Sequence, residues 1–240
     1  MKKLIKKFIR LALSPFVLPD YFKFRRRHDG RFALKISDFY PQIKDRTFGT
    51  SFDRHYVYHV AWAIRQVLAL KPAWHTDISS SLFLCSTLSA SLPVKFYDYR
   101  PAKISLSGLS SAPADLTKLP FPDESLTSLS CLHTIEHVGL GRYGDPLDPA
   151  GDQKAAAELT RVLAPGGTLL VAMPVGQPRI EWNAHRIYSY QQVLDLFPGL
   201  SLTEFYFIPE SAGSPLTNPD PDIVTKSHYA CGCFKLVKKL

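Results

Sequence analysis

An ordered run of short elements between Asp115 and Met173 constrains this chain more than any other feature. Ser128 to Leu132 is an apolar run of the length a buried parallel strand needs, and it ends in a polar cluster, His133, Glu136 and His137. Polar side chains at the carboxyl end of such a strand usually face a ligand crevice. Gln153 to Leu163 sets Ala156, Leu159 and Val162 or Leu163 on one face at helical spacing, with Asp152 as the expected N-cap. Pro165-Gly166-Gly167 stops that helix, and Thr168 to Met173 reads as a second buried strand. Strand, helix and strand in this order form a right-handed parallel crossover, which places the chain in the α/β class.

The preceding residues continue the alternation. Phe52 to Leu70 has a helical pattern, with Tyr56, Val60, Ile64 and Leu68 at four-residue steps. Trp74 to Ile78 reads as a strand, Ser81 to Ala90 as a helix and Val94 to Asp98 as another strand. A strand, turn, helix, strand and acid in series is how doubly wound folds hold adenosine: backbone amides face the ligand at the turn, and a carboxylate ending the second strand accepts ribose hydroxyl protons. Asp98 occupies that ribose position. Ser189 to Phe197 reads as a helix, and Ser201 to Ile208 and His228 to Val237 as the closing strands. Proline clusters mark Ser110 to Pro122, Pro174 to Pro178 and Pro209 to Pro221 as loops, the last of them long enough for a lid or a disordered tip.

The segments ADLTKLPFPDESLTSLSCLHTIEHVG and AAAELTRVLAPGGTLLVAMP resemble the second half of a class I S-adenosylmethionine-dependent methyltransferase. With GLGRYGDPLDPAGD and NAHRIYSY, the resemblance runs over about residues 52 to 240. It is closer to a poorly characterised group whose members often accompany bacterial surface-polysaccharide genes than to any well-studied enzyme. It implies a Rossmann-like α/β fold with a mostly parallel seven-stranded sheet flanked by helices, and S-adenosylmethionine as cofactor. The residues it implies around the cofactor are Asp77, Ser79, Ser80, Asp98, Asp115, Leu116 and His133, with Asp115 near the adenine amino group and Leu116 against the ring. One element departs from the family: Asp77-Ile78-Ser79-Ser80-Ser81 stands where interleaved glycines follow the first strand. A side chain in the left-handed conformation such a turn needs costs roughly 1 to 2 kcal/mol, although serine can still cap the next helix.

In this reading His133 lines the junction of cofactor and substrate, Glu136 orients backbone or substrate, and His137 is the general base. His133-Thr134-Ile135-Glu136-His137 also matches the H-x-x-E-H pattern of inverted zinc peptidases, but there the pattern sits on a helix, and here it follows a strand. Arg142, Tyr143 and Asp145 lie in the loop after the strand Ser128 to Leu132, where an acceptor would bind. Turn chemistry is the favoured account of Asp145, Asp148 and Asp152. His185 and Arg186, with Asn183 and Tyr188, follow the fifth strand, where acceptor binding and a structural hydrogen-bond network explain them equally.

The net charge of +8 is concentrated in Met1 to Lys35, where Lys and Arg alternate with Leu, Ile, Phe and Val. No apolar run there approaches the ~20 residues that span a bilayer. A basic amphipathic helix on an anionic membrane and a solvated helix packed on the domain account for the segment about equally. Phe22, Phe24 and Arg25 to His28 also suit nucleic acid, a minority reading because the basic excess is confined to this end. The expected organisation is a basic extension over residues 1 to 50 and an α/β domain over 51 to 240. Four cysteines make no disulfide framework in a chain this long and fit a reducing cytoplasm, and Cys231-Gly232-Cys233 alone is too few thiols to close a zinc site, so no metal is expected. The function expected is methyl transfer from S-adenosylmethionine to a glycan precursor or other small acceptor, in the cytoplasm or at a membrane surface. The competing reading is an inactive relic of the fold serving as a scaffold in glycan assembly.

Overall fold

Strand β1 (His75–Ile78) is buried throughout although three of its four residues are polar. Its histidine and aspartate are satisfied inside the sheet. The two ring nitrogens of His75 each lie 2.8 Å from a serine hydroxyl, Ser128 and Ser130, and Asp77 accepts from Ser130 and from the Ser80 amide. These hydrogen bonds offset the burial of both groups at the centre of a parallel sheet. This computed structural model describes residues 14–42 and 45–240, and these fall into two compact units, Met1–Phe52 and Asp53–Leu240.

The larger unit is built on one sheet. Strands β2 (Val94–Asp98) and β3 (Leu109–Pro113) lie parallel on one side of β1, and β4 (Leu126–Leu132) and β5 (Leu163–Val175) lie parallel on the other. β6 (Arg179–Glu181) and β7 (His185–Ile187) form a separate antiparallel hairpin. β8 (Leu200–Ile208) and β9 (Leu216–Thr217) complete the far edge, and β10 (Ala230–Lys238) inserts antiparallel between β5 and β8, giving the order β3-β2-β1-β4-β5-β10-β8-β9. Chain order reverses between β1 and β4. In open α/β sheets the ligand crevice lies at such a switch point, outside the carboxyl ends of the strands.

Helices cover both faces. The smaller unit contains α1 (Leu18–Arg27), with Pro19 and Asp20 in its first turn and Arg25, Arg26 and Arg27 in its last, the arrangement that complements the helix dipole; none of its residues is buried. Residues 1–13 of the expected basic segment lie outside the described residues. In the larger unit α2 (Arg54–Leu70) starts at Asp53, whose carboxylate accepts from Tyr56 N at 3.1 Å. α3 (Leu82–Ser89) is capped by the Ser81 hydroxyl. One core gathers Trp62, Ala63 and Val67 of α2 and Leu84, Cys85 and Leu88 of α3 against that face of the sheet. The other gathers Ala155, Ala156, Leu159 and Val162 of α4 (Gly151–Val162) and Val193 of α5 (Tyr190–Leu196) against Leu129, Val171 and Phe234. α6 (Asp222–Thr225) is a single turn before β10.

Several expectations are corrected in detail. The main sheet has eight strands, because the two residues of β9 pair with β8 inside the proline-rich segment read as a loop. β3 likewise overlaps Ser110 to Pro122, where pairing with β2 overrides poor strand propensity. Asp152 is not the N-cap of α4; that position is Ala150, with no side-chain cap, and Asp152 is buried, accepting from Tyr188 Oη at 3.0 Å. The buried face of α2 is His55, His59, Trp62, Ala63 and Val67, one step from the predicted stripe, and Tyr56 and Leu68 are exposed. Two histidines on the inner face disguise it as polar.

Candidate functional site

The turn after β1 takes the shape that glycine provides elsewhere. Ser79 has φ +58°, and its amide donates to Tyr97 O at 2.7 Å, tying the turn to β2. Ser80 is buried; its hydroxyl accepts from Leu132 N at 2.8 Å, tying the turn to β4. Ser81 then caps α3. Asp77 lies beneath this turn with no exposed surface, and burial raises its carboxyl to about 6 against the hydrogen bonds from Ser130 and Ser80. Asp77 and Ser80 therefore hold the turn from below rather than facing a ligand.

Above the turn, a cleft of about 300 Å³ opens at the switch point, at the small end of the ~300–1,000 Å³ typical of ligand pockets. Ser79, Asp98, Asp115, Leu116, His133, His137, Tyr143 and Asp145 all line it. Asp98 closes β2 half-buried; its Oδ1 accepts from Arg100 N at 2.7 Å, and its Oδ2 has no donor among the described residues. Asp115 folds its own loop by accepting from the amide and hydroxyl of Thr117 at 2.8 and 2.7 Å, which sets the buried Leu116 into the wall. Tyr99, Arg100 and Thr134 also line the cleft and were not anticipated; Tyr99 and Arg100 directly follow Asp98, so the end of β2 was the signal that pointed to them.

The polar cluster after β4 divides into distinct roles. His133, with φ +53°, has both ring nitrogens engaged, Nδ1 2.9 Å from Glu136 Oε1 and Nε2 3.3 Å from Cys231 Sγ. Burial opposes its protonation, but the Cys231 sulfur and the Glu136 carboxylate outweigh that and shift it upward. Glu136 is 1% exposed, away from the cleft lining. Burial also opposes its ionisation, yet the His133 hydrogen bond holds the carboxyl below the usual range. His137 lines the cleft as well. Its Nδ1 lies 2.7 Å from Ala184 O, a contact that favours the proton on that nitrogen, with Arg142 Nη1 3.2 Å from the same Nδ1 and the Glu136 carboxylate 3.8 Å from Nε2. Burial lowers its pKa, so the ring is neutral at pH 7.

The loop after β4 is shaped by Asp145, whose oxygens accept from the amides of Gly139, Gly141 and Tyr143 at 2.8, 3.3 and 3.1 Å. Burial opposes its charge, but these amides hold it below the usual carboxylate range. Gly139, at φ +81°, is required here because a Cβ would stand 2.0 Å from Asp148 O. Tyr143 projects at the mouth with the guanidinium carbons of Arg100 and Arg142 4.7 and 5.1 Å from its ring centre. Arg142 also donates to Ala184 O at 2.8 Å and lies outside the cleft lining. His185 and Arg186 are not brought to the cleft. His185 packs on Tyr229, and buried Arg186 clamps Val138 O at 2.7 Å and Pro149 O at 3.3 Å, with Asp152 at 3.6 Å. For Arg186 the structural network is what the geometry shows, whereas His185 Nε2 is buried without a hydrogen bond, 3.4 Å from Glu181 Oε2.

A family described as Caenorhabditis protein of unknown function, DUF268, matches residues 122–220, which include β4, the cluster after it and the hairpin. No curated protein matches the chain. Among solved structures, the N-methyltransferase NodS from Bradyrhizobium japonicum superposes with a TM-score of 0.53 at 14% identity, covering 78% of this chain and 97% of that one. A second NodS structure holds S-adenosyl-L-homocysteine. YcgJ from Bacillus subtilis gives 0.51 at 12% identity over 77% and 99% of the two chains, and the 4+2 cyclase SpnF gives 0.53 at 11% over 75% and 80%. The chain has the Rossmann-like class I methyltransferase fold.

Proposed function

We propose that this chain is an S-adenosylmethionine-dependent methyltransferase acting on a hydroxylated small acceptor, a glycan precursor foremost. The observation that carries the reading is Asp98, a carboxylate ending the second strand at the switch point, with one oxygen fixed by Arg100 N and the other open to the cleft. A ribose diol suits that oxygen. The residues present fit the cofactor: the backbone at Ser79 keeps the left-handed shape without glycine, Leu116 offers an apolar wall for adenine with Asp115 beside it, and Thr134 is anchored to Ser79 O at 2.9 Å.

A bound sulfonium supplies an activated methyl group, so the protein has to align the acceptor and remove its proton. His137 suits the second task, with Nδ1 on Ala184 O and the ring neutral at pH 7. The guanidinium groups of Arg100 and Arg142 over the Tyr143 ring gather positive charge at the mouth, which suits a sugar bearing phosphate or carboxylate. Attachment to an anionic membrane is supported by exposed Phe22 and Phe24 beside Arg25, Arg26 and Arg27. No helix among the described residues is long and apolar enough to cross a membrane.

One observation favours the scaffold reading: Ser79 carries a side chain in the left-handed conformation where the family uses glycine. Calorimetric titration with S-adenosylmethionine and S-adenosylhomocysteine separates the two. The parent is expected to bind and Asp98→Ala to lose binding. A folded parent that binds neither compound leaves the scaffold.

A further inference from the structure

Beneath the cleft, on the face of the sheet covered by α2, lies a second chemical grouping that shares only His133 with the cleft lining. His59 from the inner face of α2, His133 at the end of β4 and Cys231 on β10 bring one ligand atom each within 4.8 Å of one another. We propose that they bind a single thiophilic transition-metal ion, with Zn²⁺ as the ion whose preference for mixed imidazole and thiolate ligands the set matches.

Three observations point to a ligand rather than to ordinary packing. His59 is 1% exposed, and neither of its ring nitrogens has a hydrogen-bond partner of ordinary geometry among the described residues, the His55 backbone one turn back being the only approach. Buried imidazoles usually find partners, as His75 does in this same molecule with two serines. The second observation is His133, which turns Nδ1 to Glu136 at 2.9 Å and Nε2 to Cys231 Sγ at 3.3 Å. A carboxylate on the far nitrogen of a ligating histidine is the usual outer partner of a zinc site; it fixes the tautomer and strengthens the ligand. Third, the charges balance, since two neutral imidazoles, one thiolate, a dication and the buried Glu136 carboxylate sum to zero. A dry site tolerates little else.

The geometry needs little adjustment. Zinc bonds of 2.0–2.3 Å set tetrahedral ligand atoms roughly 3.5 Å apart, so the longest separation closes by about 1 Å, within the reach of small rotamer changes. Cys233 Sγ, 3.9 Å from Cys231 Sγ on the same face of β10, is a further donor beside the three. Binding replaces the proton shared between His133 Nε2 and Cys231 Sγ with the ion, and that proton leaves to solvent. Cys231 and His59 stay out of the cleft, so the site acts on the position of the β4 end from behind.

The test is a titration of the metal-free full chain with Co²⁺, followed by Zn²⁺. Expected are a thiolate-to-cobalt charge-transfer band that saturates at one equivalent and is bleached by one equivalent of Zn²⁺, a higher melting temperature with Zn²⁺, and an affinity lowered about 10–100-fold in Glu136→Gln. Cys231→Ser should abolish the band. A folded parent without the band overturns the proposal with no variant needed, and so does a band unchanged in Cys231→Ser.

Discussion

Ser79 holds a left-handed backbone with a side chain attached, and the consequence is measurable. Replacing it by glycine removes a steric cost of roughly 1 to 2 kcal/mol, offset in part by glycine's greater freedom in the unfolded chain. Ser79→Gly is therefore expected to stabilise the protein by about 1 kcal/mol in urea denaturation, and to tighten cofactor binding if the turn is strained in the complex; a loss of stability would show that the hydroxyl contact to Tyr97 O, 3.4 Å long, matters more. At His137 the argument concerns a proton. A general base must be unprotonated, and burial lowers this histidine below its usual 6.5. The acid limb of the rate profile should accordingly lie below pH 6.5, and His137→Gln should cut turnover by about 10²–10⁴-fold without matching loss of cofactor affinity. An acid limb at or above pH 6.5 would assign the base elsewhere.

At the scale of the element, β1 carries two buried titratable groups whose pH effects oppose each other. Burial raises Asp77 to about 6 from 3.8, so its contribution to stability is full below pH 3.8 and declines as pH rises to about 6. Burial lowers His75 to about 4 from 6.5, so its contribution is full above pH 6.5 and declines as pH falls to about 4. Between pH 4 and 6 the two slopes cancel. Asp77→Asn should unmask the histidine slope: stability relative to the parent should rise with pH across that window by up to about 3 kcal/mol, at ~1.4 kcal/mol per unit. Parallel stability curves for parent and variant would contradict the assignment. Elements of this sheet were legible where an apolar run and a punctuation mark agreed, as in β4, β5 and the helix begun by Ser189, whose hydroxyl and Gln192 form a reciprocal cap. β3 was not, because Ser and Pro fill it and only pairing with β2 makes it a strand. Within the site, Asp98 could be read because an acid ending a buried strand has few other uses. The roles of Arg186 and Asp152 could not, since both are fixed by contacts with backbone and side chains distant in sequence.

For the whole molecule, the excess of positive charge and its placement predict behaviour that no single residue sets. Neutralising Arg25, Arg26 and Arg27 to glutamine should weaken sedimentation with anionic vesicles by about 1 kcal/mol per residue, and added salt should weaken the parent similarly. Binding that ignores both changes would remove the membrane from the account. The convergence of His59, His133 and Cys231 also belongs to this scale, because β5 separates β4 from β10 in the sheet and nothing local in the sequence marks the three as neighbours.

The insertion of β10 has a temporal meaning as well. Both edges of Ala230–Lys238 are occupied, by β5 and by β8, and β8 reaches the parallel strands only through it. In a chain synthesised from its amino end, β5 and β8 are therefore both made before the strand that joins them. The strand that follows them closes both gaps at once, and the same event delivers Cys231 to His133, so completion of the sheet and completion of the buried cluster are one step.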